Sequence, residues 1–250
     1  MELTTGNKKM EQYPVAIITG ASRGIGRACA IGLAQNGYQT ILVARSETSL
    51  LDVANEINEK YISDSSLSPI VFPLDLTELE KIEGFVKEVI QQVGRVDVLV
   101  NNAGLAVTGS LDVSISEFER ASYSNLFSPF ALLKEIVPIM RAQGSGYIFN
   151  IASQLGKTCF AGMGAYGAAK SALIGLNDSL FRELSGEGIS VTAICPGWVN
   201  TDMAQEVGTP FADEDMIQPE DIMKTISWLL EMSPAAKVKE IVLECKGTIS

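Results

Sequence analysis

The chain has 250 residues, 46% hydrophobic and 20% charged, which suits one large globular domain with an ample core. Its formal net charge is −11 and its isoelectric point about 4.6, so the basic surface that nucleic acid or an anionic membrane demands is not there. It contains no histidine, which excludes Ser-His-Asp and Cys-His catalysis as usually built, and any His-bearing metal site.

Residues 1–13 read as a polar, flexible leader without the apolar core of a signal peptide. Pro14 to Thr19 is a short apolar, β-branched run, expected as a buried strand. It leads through a glycine-rich turn into a helical pattern, Ile25, Cys29, Leu33, that stops at Gly37. A second strand is expected over 39–44, then a helix over 46–61 that Ser46 caps. A third strand covers 70–74. A helix over 77–93 follows, with Thr77 at its cap and acids in its first turns. The fourth strand spans 96–100. After a loop, one long helix over 116–143 is expected to bend at Pro129 and Pro138. A fifth strand (147–152), a helix (164–185) and a sixth strand (189–195) precede an irregular segment, 198–217. A helix over 219–232 and a strand over 240–244 complete the chain.

Strands and helices alternate, and the strands are apolar on both faces. That pattern predicts an α/β protein: a single doubly wound, Rossmann-like parallel sheet of about seven strands, covered by helices on both sides, over residues 14–250. The longest uncharged run, Ala28 to Ala44, is shorter than the ~20 residues of a membrane span and holds Gln35, Asn36, Gly37 and Gln39. Cys29, Cys159, Cys195 and Cys245 are scattered without CxxC spacing, as expected of reduced thiols and a cytoplasmic protein.

Gly20-Ala21-Ser22-Arg23-Gly24-Ile25-Gly26 sits between the first strand and the first helix. Glycines there let the backbone turn tightly and approach a ligand, while the helix N-terminus offers free N–H groups to a pyrophosphate. The spacing is G-x-x-x-G-x-G rather than the commoner G-x-G-x-x-G. Where NAD enzymes of that design place an acid, at the end of the second strand, this chain has Arg45 and Ser46. Two guanidiniums, Arg23 and Arg45, suit a ribose 2′-phosphate, so the expected cofactor is NADP(H).

Tyr166 and Lys170 stand four apart in a helical window, so both side chains leave one face. An ammonium ~4 Å from the phenol, at an effective dielectric of ~20, favours the phenolate by roughly 4 kcal/mol, or about three pKa units below the usual ~10. Such a pair makes a proton-transfer group for neutral pH. Taken singly, each of these features also has a plain structural reading, as a tightened turn or an ordinary helix face.

Together they resemble the short-chain dehydrogenase/reductase family over nearly the whole chain. Thr19-Gly20-x-x-x-Gly24-Ile25-Gly26 is similar to the family's cofactor turn, and Asp75 with Leu76 to its adenine contact. Asn101-Asn102-Ala103-Gly104 matches its NNAG segment. Asn125, Ser153, Tyr166 and Lys170 fall where its catalytic tetrad falls, and Pro196-Gly197-x-Val199-x-Thr201 resembles its nicotinamide-side segment. The resemblance implies hydride transfer between nicotinamide and a carbonyl or secondary alcohol. Tyr166 would serve as acid/base, Ser153 would polarise the oxygen, Lys170 would hold the ribose, and Asn125 a proton-relaying water. It also implies a homodimer or homotetramer and no metal. The sequence departs from the family at Cys245-Lys246-Gly247, where a glycine pair is usual, and at Gln154-Leu155-Gly156 after the serine.

Residues 183–223 contain no Lys or Arg but do hold Trp198, Met203, Val207, Phe211 and Met216, so a neutral or apolar small-molecule substrate is expected. A 3-oxoacyl-thioester reductase of fatty-acid or polyketide type is an alternative, though the acidic chain opposes an acidic carrier protein unless Lys134, Arg141 and Lys157 form a docking patch. A non-catalytic NADP(H)-binding regulator, and an epimerase or dehydratase on the same scaffold, are the alternatives of other classes.

Overall fold

In the computed structural model, which describes residues 13–249, the strands are β1 (Val15–Thr19), β2 (Gln39–Ala44), β3 (Ile70–Pro73), β4 (Val98–Asn101), β5 (Gly146–Ile151), β6 (Ile189–Pro196) and β7 (Glu240–Leu243). All pair in parallel in one sheet ordered β3-β2-β1-β4-β5-β6-β7. The helices are α1 (Gly24–Gln35), α2 (Glu47–Lys60), α3 (Ile82–Val93), α4 (Ile115–Ser122), α5 (Ser128–Gln143), α6 (Gly164–Leu184), α7 (Asp202–Val207), α8 (Pro219–Leu230) and α9 (Lys246–Ile249).

Every residue of β1 is buried, because alternate side chains serve two cores. Ala16 and Ile18 pack with Leu33 of α1, Leu50 of α2 and Ile226 of α8. Val15 and Ile17 pack on the opposite face with Phe85 and Val89 of α3 and Ile136 of α5. Burying one such aliphatic side chain contributes about 1.5–3 kcal/mol, and here both faces collect it. From β1 the chain moves outward to β2 and β3, then returns to β4 on the other side. The loops after β1 and β4 therefore diverge and leave a crevice at the carboxyl ends of the strands.

Five expectations are corrected. Of the leader, residues 1–12 lie outside the described residues, but Tyr13 is already part of the fold: its hydroxyl donates to Asp64 Oδ2 at 2.7 Å. Thr77 caps nothing. Asp75 accepts from the Thr77 amide (2.9 Å) and hydroxyl (2.7 Å), and this Asx turn delays α3 to Ile82. The fourth strand starts two residues late, at Val98. The long helix is two helices separated by a π turn, Tyr123–Phe127, and the prolines are not its cause. Pro129 lies in the first turn of α5, where a missing N–H is tolerated, and Pro138 lies inside α5. The break is made by side chains. Asn125 Nδ2 donates to the carbonyls of Ala121 (2.9 Å) and Leu105 (2.8 Å), and the Ser128 hydroxyl to that of Tyr123 (2.7 Å). The segment 198–217 is less irregular than expected: it holds α7, and Val199 bridges Ile217. Among the described residues no helix is long and apolar enough to cross a membrane.

Candidate active site

A cavity of about 770 Å³ runs along the carboxyl ends of β1, β2 and β4. Gly20, Ser22, Arg23, Gly24 and Ile25 line it at the turn, Arg45 and Ser46 beyond β2, Asp75 and Leu76 beyond β3, and Asn102, Ala103 and Gly104 beyond β4. Thr201 closes it from the start of α7. Gly26 is not in the lining. A Cβ there would stand 2.1 Å from the Gly20 carbonyl oxygen, so Gly26 lets α1 begin against the turn. No side chain caps α1, and its first turn carries no acid, which leaves its N–H groups suited to a phosphate.

The two crevice loops are tied together by Thr19, a role that its place at the strand end and the head of the glycine turn did not reveal. Its hydroxyl accepts from the amides of Asn102 (2.9 Å) and Ala103 (3.0 Å) and donates to Val100 (3.2 Å). The Asn102 side-chain amide donates back to the Thr19 carbonyl at 2.9 Å. Asn102 is therefore first a brace of the turn. Asp75 is held below the usual carboxylate range; burial pushes it the other way but is outweighed by the Thr77 bonds and the Arg45 charge.

A second cavity, of about 160 Å³, adjoins the first and shares Ile25, Asn102, Gly104 and Thr201 with it. Asn125, Ser153, Tyr166, Lys170, Pro196, Gly197 and Val199 line it. Four elements deliver them: the π turn, the end of β5, the first turns of α6, and the end of β6. Ser153 hydrogen-bonds Tyr166 and accepts from the Leu155 amide at 3.1 Å. Lys170 is buried, its Nζ donating to the Ile151 carbonyl at 2.7 Å and lying 5.7 Å from the Tyr166 ring centre. A Cβ on Gly104 would meet Asn125 Oδ1 at 2.7 Å and Lys170 Nζ at 3.6 Å, so these two polar groups converge on one backbone position.

The expected charge effect is reversed. Burial pushes the Tyr166 phenol up to about 12, against a smaller opposing pull from the Ser153 bond. Burial also brings Lys170 down to about 8. The ammonium is held by the Ile151 carbonyl, and for both groups desolvation outweighs the attraction assumed from helical spacing.

A pH dependence of stability follows. The unfolded chain keeps the Lys170 proton to its ordinary 10.5, while the folded chain releases it near 8. Between these values the unfolded state binds more protons, so folding is favoured as pH rises. Tyr166 acts oppositely: its proton is lost at 10 unfolded and about 12 folded, so its contribution fades above pH 10. Thermal melts of wild type and Lys170→Met are expected to show a rise between pH 8 and 10 in the wild type that the variant lacks. An equal rise in both would place it elsewhere.

Sequence reasoning missed several lining residues. Ser49, Arg120 and Ser124 face the larger cavity. Gln154, Phe160 and Met163 join Trp198, Met203 and Val207 around the smaller one. The apolar run before Tyr166 was a usable signal for Phe160 and Met163; nothing local marked Arg120. Two of the apolar lid residues belong to the body instead: Met216 is buried in the fold, and Phe211 packs edge-on against Trp198 at 6.4 Å. Lys134, Arg141 and Lys157 form no single patch. Arg141 pairs with Glu187 (2.6 Å) just before β5, and Lys157 pairs with Glu240 (2.8 Å) beyond its other end.

The model of the short chain dehydrogenase family matches residues 14–210. An uncharacterized oxidoreductase of Staphylococcus epidermidis is 31% identical over 231 residues, covering 92% of this chain and 96% of its own. The crystal structure of a betaketoacyl-[ACP] reductase from Bacteroides thetaiotaomicron superposes with a TM-score of 0.83 at 45% identity, over 96% of this chain and 99% of that one. An alcohol dehydrogenase from the archaeon Thermococcus sibiricus, complexed with 5-hydroxy-NADP, gives 0.83 at 30%, over 92% and 95%. With its seven-stranded parallel sheet and the match over most of its length, the chain belongs to the short-chain dehydrogenase/reductase family of oxidoreductases.

Proposed function

We propose that this protein is a cytoplasmic, NADP(H)-dependent reductase of a neutral or apolar carbonyl compound. The observation that carries the reading is the meeting of Ser153, Tyr166, Lys170 and Asn125 at the junction of a dinucleotide-sized cavity and a small apolar one. The larger cavity fits the cofactor: a glycine turn and an uncapped helix start suit the pyrophosphate, and Arg45 with Ser46 and Ser49 suits the 2′-phosphate. Bound there, the nicotinamide supplies the hydride. Tyr166 gives its proton to the developing alkoxide, and its raised pKa keeps it protonated and ready to do so at neutral pH. Ser153 donates a hydrogen bond to the same oxygen. Lys170 and Asn125 lie behind Tyr166 as the route by which its proton is replaced.

Among the described residues, Lys170 is the one charged side chain in the smaller cavity, and it is engaged by a carbonyl. A carboxylate substrate would enter without a partner, so neutral carbonyls are favoured. Likeness to the Bacteroides reductase supports a second reading, a 3-oxoacyl-thioester reductase. Phe118, Tyr123, Phe127 and Phe130, each partly exposed on α4, the π turn and α5, support homo-oligomerisation, which sedimentation reads directly.

The test is a titration with NADPH and NADH, followed by reduced-cofactor fluorescence, on wild type and Arg45→Asp. Wild type is expected to prefer NADPH. The variant is expected to lose about 10- to 100-fold of that preference, the worth of a charge-assisted phosphate contact. Binding of neither nucleotide would refute the reading.

A further inference from the structure

Arg23 was expected to clamp the 2′-phosphate, yet its guanidinium already has partners. Nη1 donates to Asp202 Oδ2 at 3.1 Å and to Glu206 Oε1 at 2.9 Å. Both carboxylates belong to α7, which follows Thr201 and carries Met203 and Val207 into the smaller cavity. Arg23, Asp202, Arg45 and Ser46 line the same larger cavity.

We propose that Asp202 and Glu206 are specificity-determining residues, which compete with the cofactor's 2′-phosphate for Arg23 and so set the strength of the NADP(H) preference. This inference rests on the NADP(H) reading above. Two carboxylates around one guanidinium leave a net negative charge beside the cavity, which a phosphate dianion must either displace or endure. The three side chains are 54%, 66% and 61% exposed, so each ion pair is weak, worth less than a factor of about five. A phosphate that takes two parallel hydrogen bonds from Arg23 outcompetes them. The same exchange unties α7 from the glycine turn. NADH carries no phosphate there and leaves the tie closed, so the lid is held differently under the two cofactors.

The experiment is fluorescence titration of NADPH and NADH on wild type, on Asp202→Asn/Glu206→Gln, and on that pair combined with Arg23→Met. All three positions are exposed, so folding is retained. The double variant is expected to bind NADPH about three- to tenfold more tightly, with NADH unchanged within about twofold. The gain is expected to vanish with Arg23→Met. An unchanged NADPH/NADH ratio in the double variant overturns the inference and leaves the cofactor reading standing. A gain that survives Arg23→Met also overturns it, since general charge removal would then suffice. A wild type that prefers NADH while the double variant gains NADPH affinity supports the inference and refutes the stated preference. If wild type binds neither nucleotide, both fall.

Discussion

Tyr166→Phe is expected to lower carbonyl reduction by about 10²–10⁴-fold while NADPH binding stays near wild type. The substitution removes one oxygen and leaves the ring that packs beside Lys170. What is lost is the proton for the alkoxide, and no histidine exists to replace it. Ser153 remains able to donate a hydrogen bond, but its hydroxyl is far too weak an acid to complete the reaction at neutral pH. The assay is NADPH consumption on a panel of ketones and aldehydes beside matched keto-acids, with thermal melts as a folding control. Wild type is expected to favour the neutral members, because the small cavity has no cation to spare and residues 183–223 have none at all. A folded Tyr166→Phe protein with full turnover would remove Tyr166 from the chemistry. A strong preference for keto-acids would refute the substrate class while leaving the tyrosine's role intact.

Gly26→Ala is expected to destabilise the fold by about 3 kcal/mol, the upper end of overpacking, lowering the melting temperature by roughly 6–12 °C. The added Cβ would lie 2.1 Å from the Gly20 carbonyl oxygen and 2.6 Å from both Gly20 C and Asn102 Nδ2. Two of these are backbone atoms. The third belongs to the amide that holds Thr19, so no flexible side chain can swing away. The start of α1 must move, and nucleotide binding is expected to fall with it. Gly84→Ala supplies the contrast. Gly84 is exposed inside α3 with nothing within 4 Å of its Cβ position, and alanine there is expected to stabilise by about 0.5–1 kcal/mol. Calorimetry on both variants checks the pair; equal effects would show that the crowding at Gly26 relaxes freely.

The alternating elements were legible because strand runs such as 15–19 and 39–44 are apolar without alternation, and helices such as α2 and α3 carry their apolar residues at helical spacing. Ser46 was readable as a cap from its position, and its hydroxyl does accept from the Ser49 amide. The candidate site was legible as an ordered set of short motifs, since each falls at a strand end or helix start, where periodicity stops. The break at Asn125 was not readable. Proline is a local signal and drew attention to Pro129 and Pro138, whereas the break depends on a carbonyl of Leu105, twenty residues away.

Alone, then, the sequence determined the kind and order of the elements, the turn that suits a dinucleotide, and the absence of any imidazole. These are short-range properties, set by side-chain periodicity, backbone freedom and residue type. Only the tertiary structure decided which way the Tyr166 and Lys170 pKa values move, because desolvation comes from burial in the folded protein, where the Lys170 ammonium is enclosed against the carbonyl of Ile151, nineteen residues away. It also decided that Arg23 meets Asp202 and Glu206, partners 179 and 183 residues further along the chain. A charge's partner is fixed by position in space, and the parallel sheet, by carrying every strand end to one edge, places residues together that the chain keeps far apart.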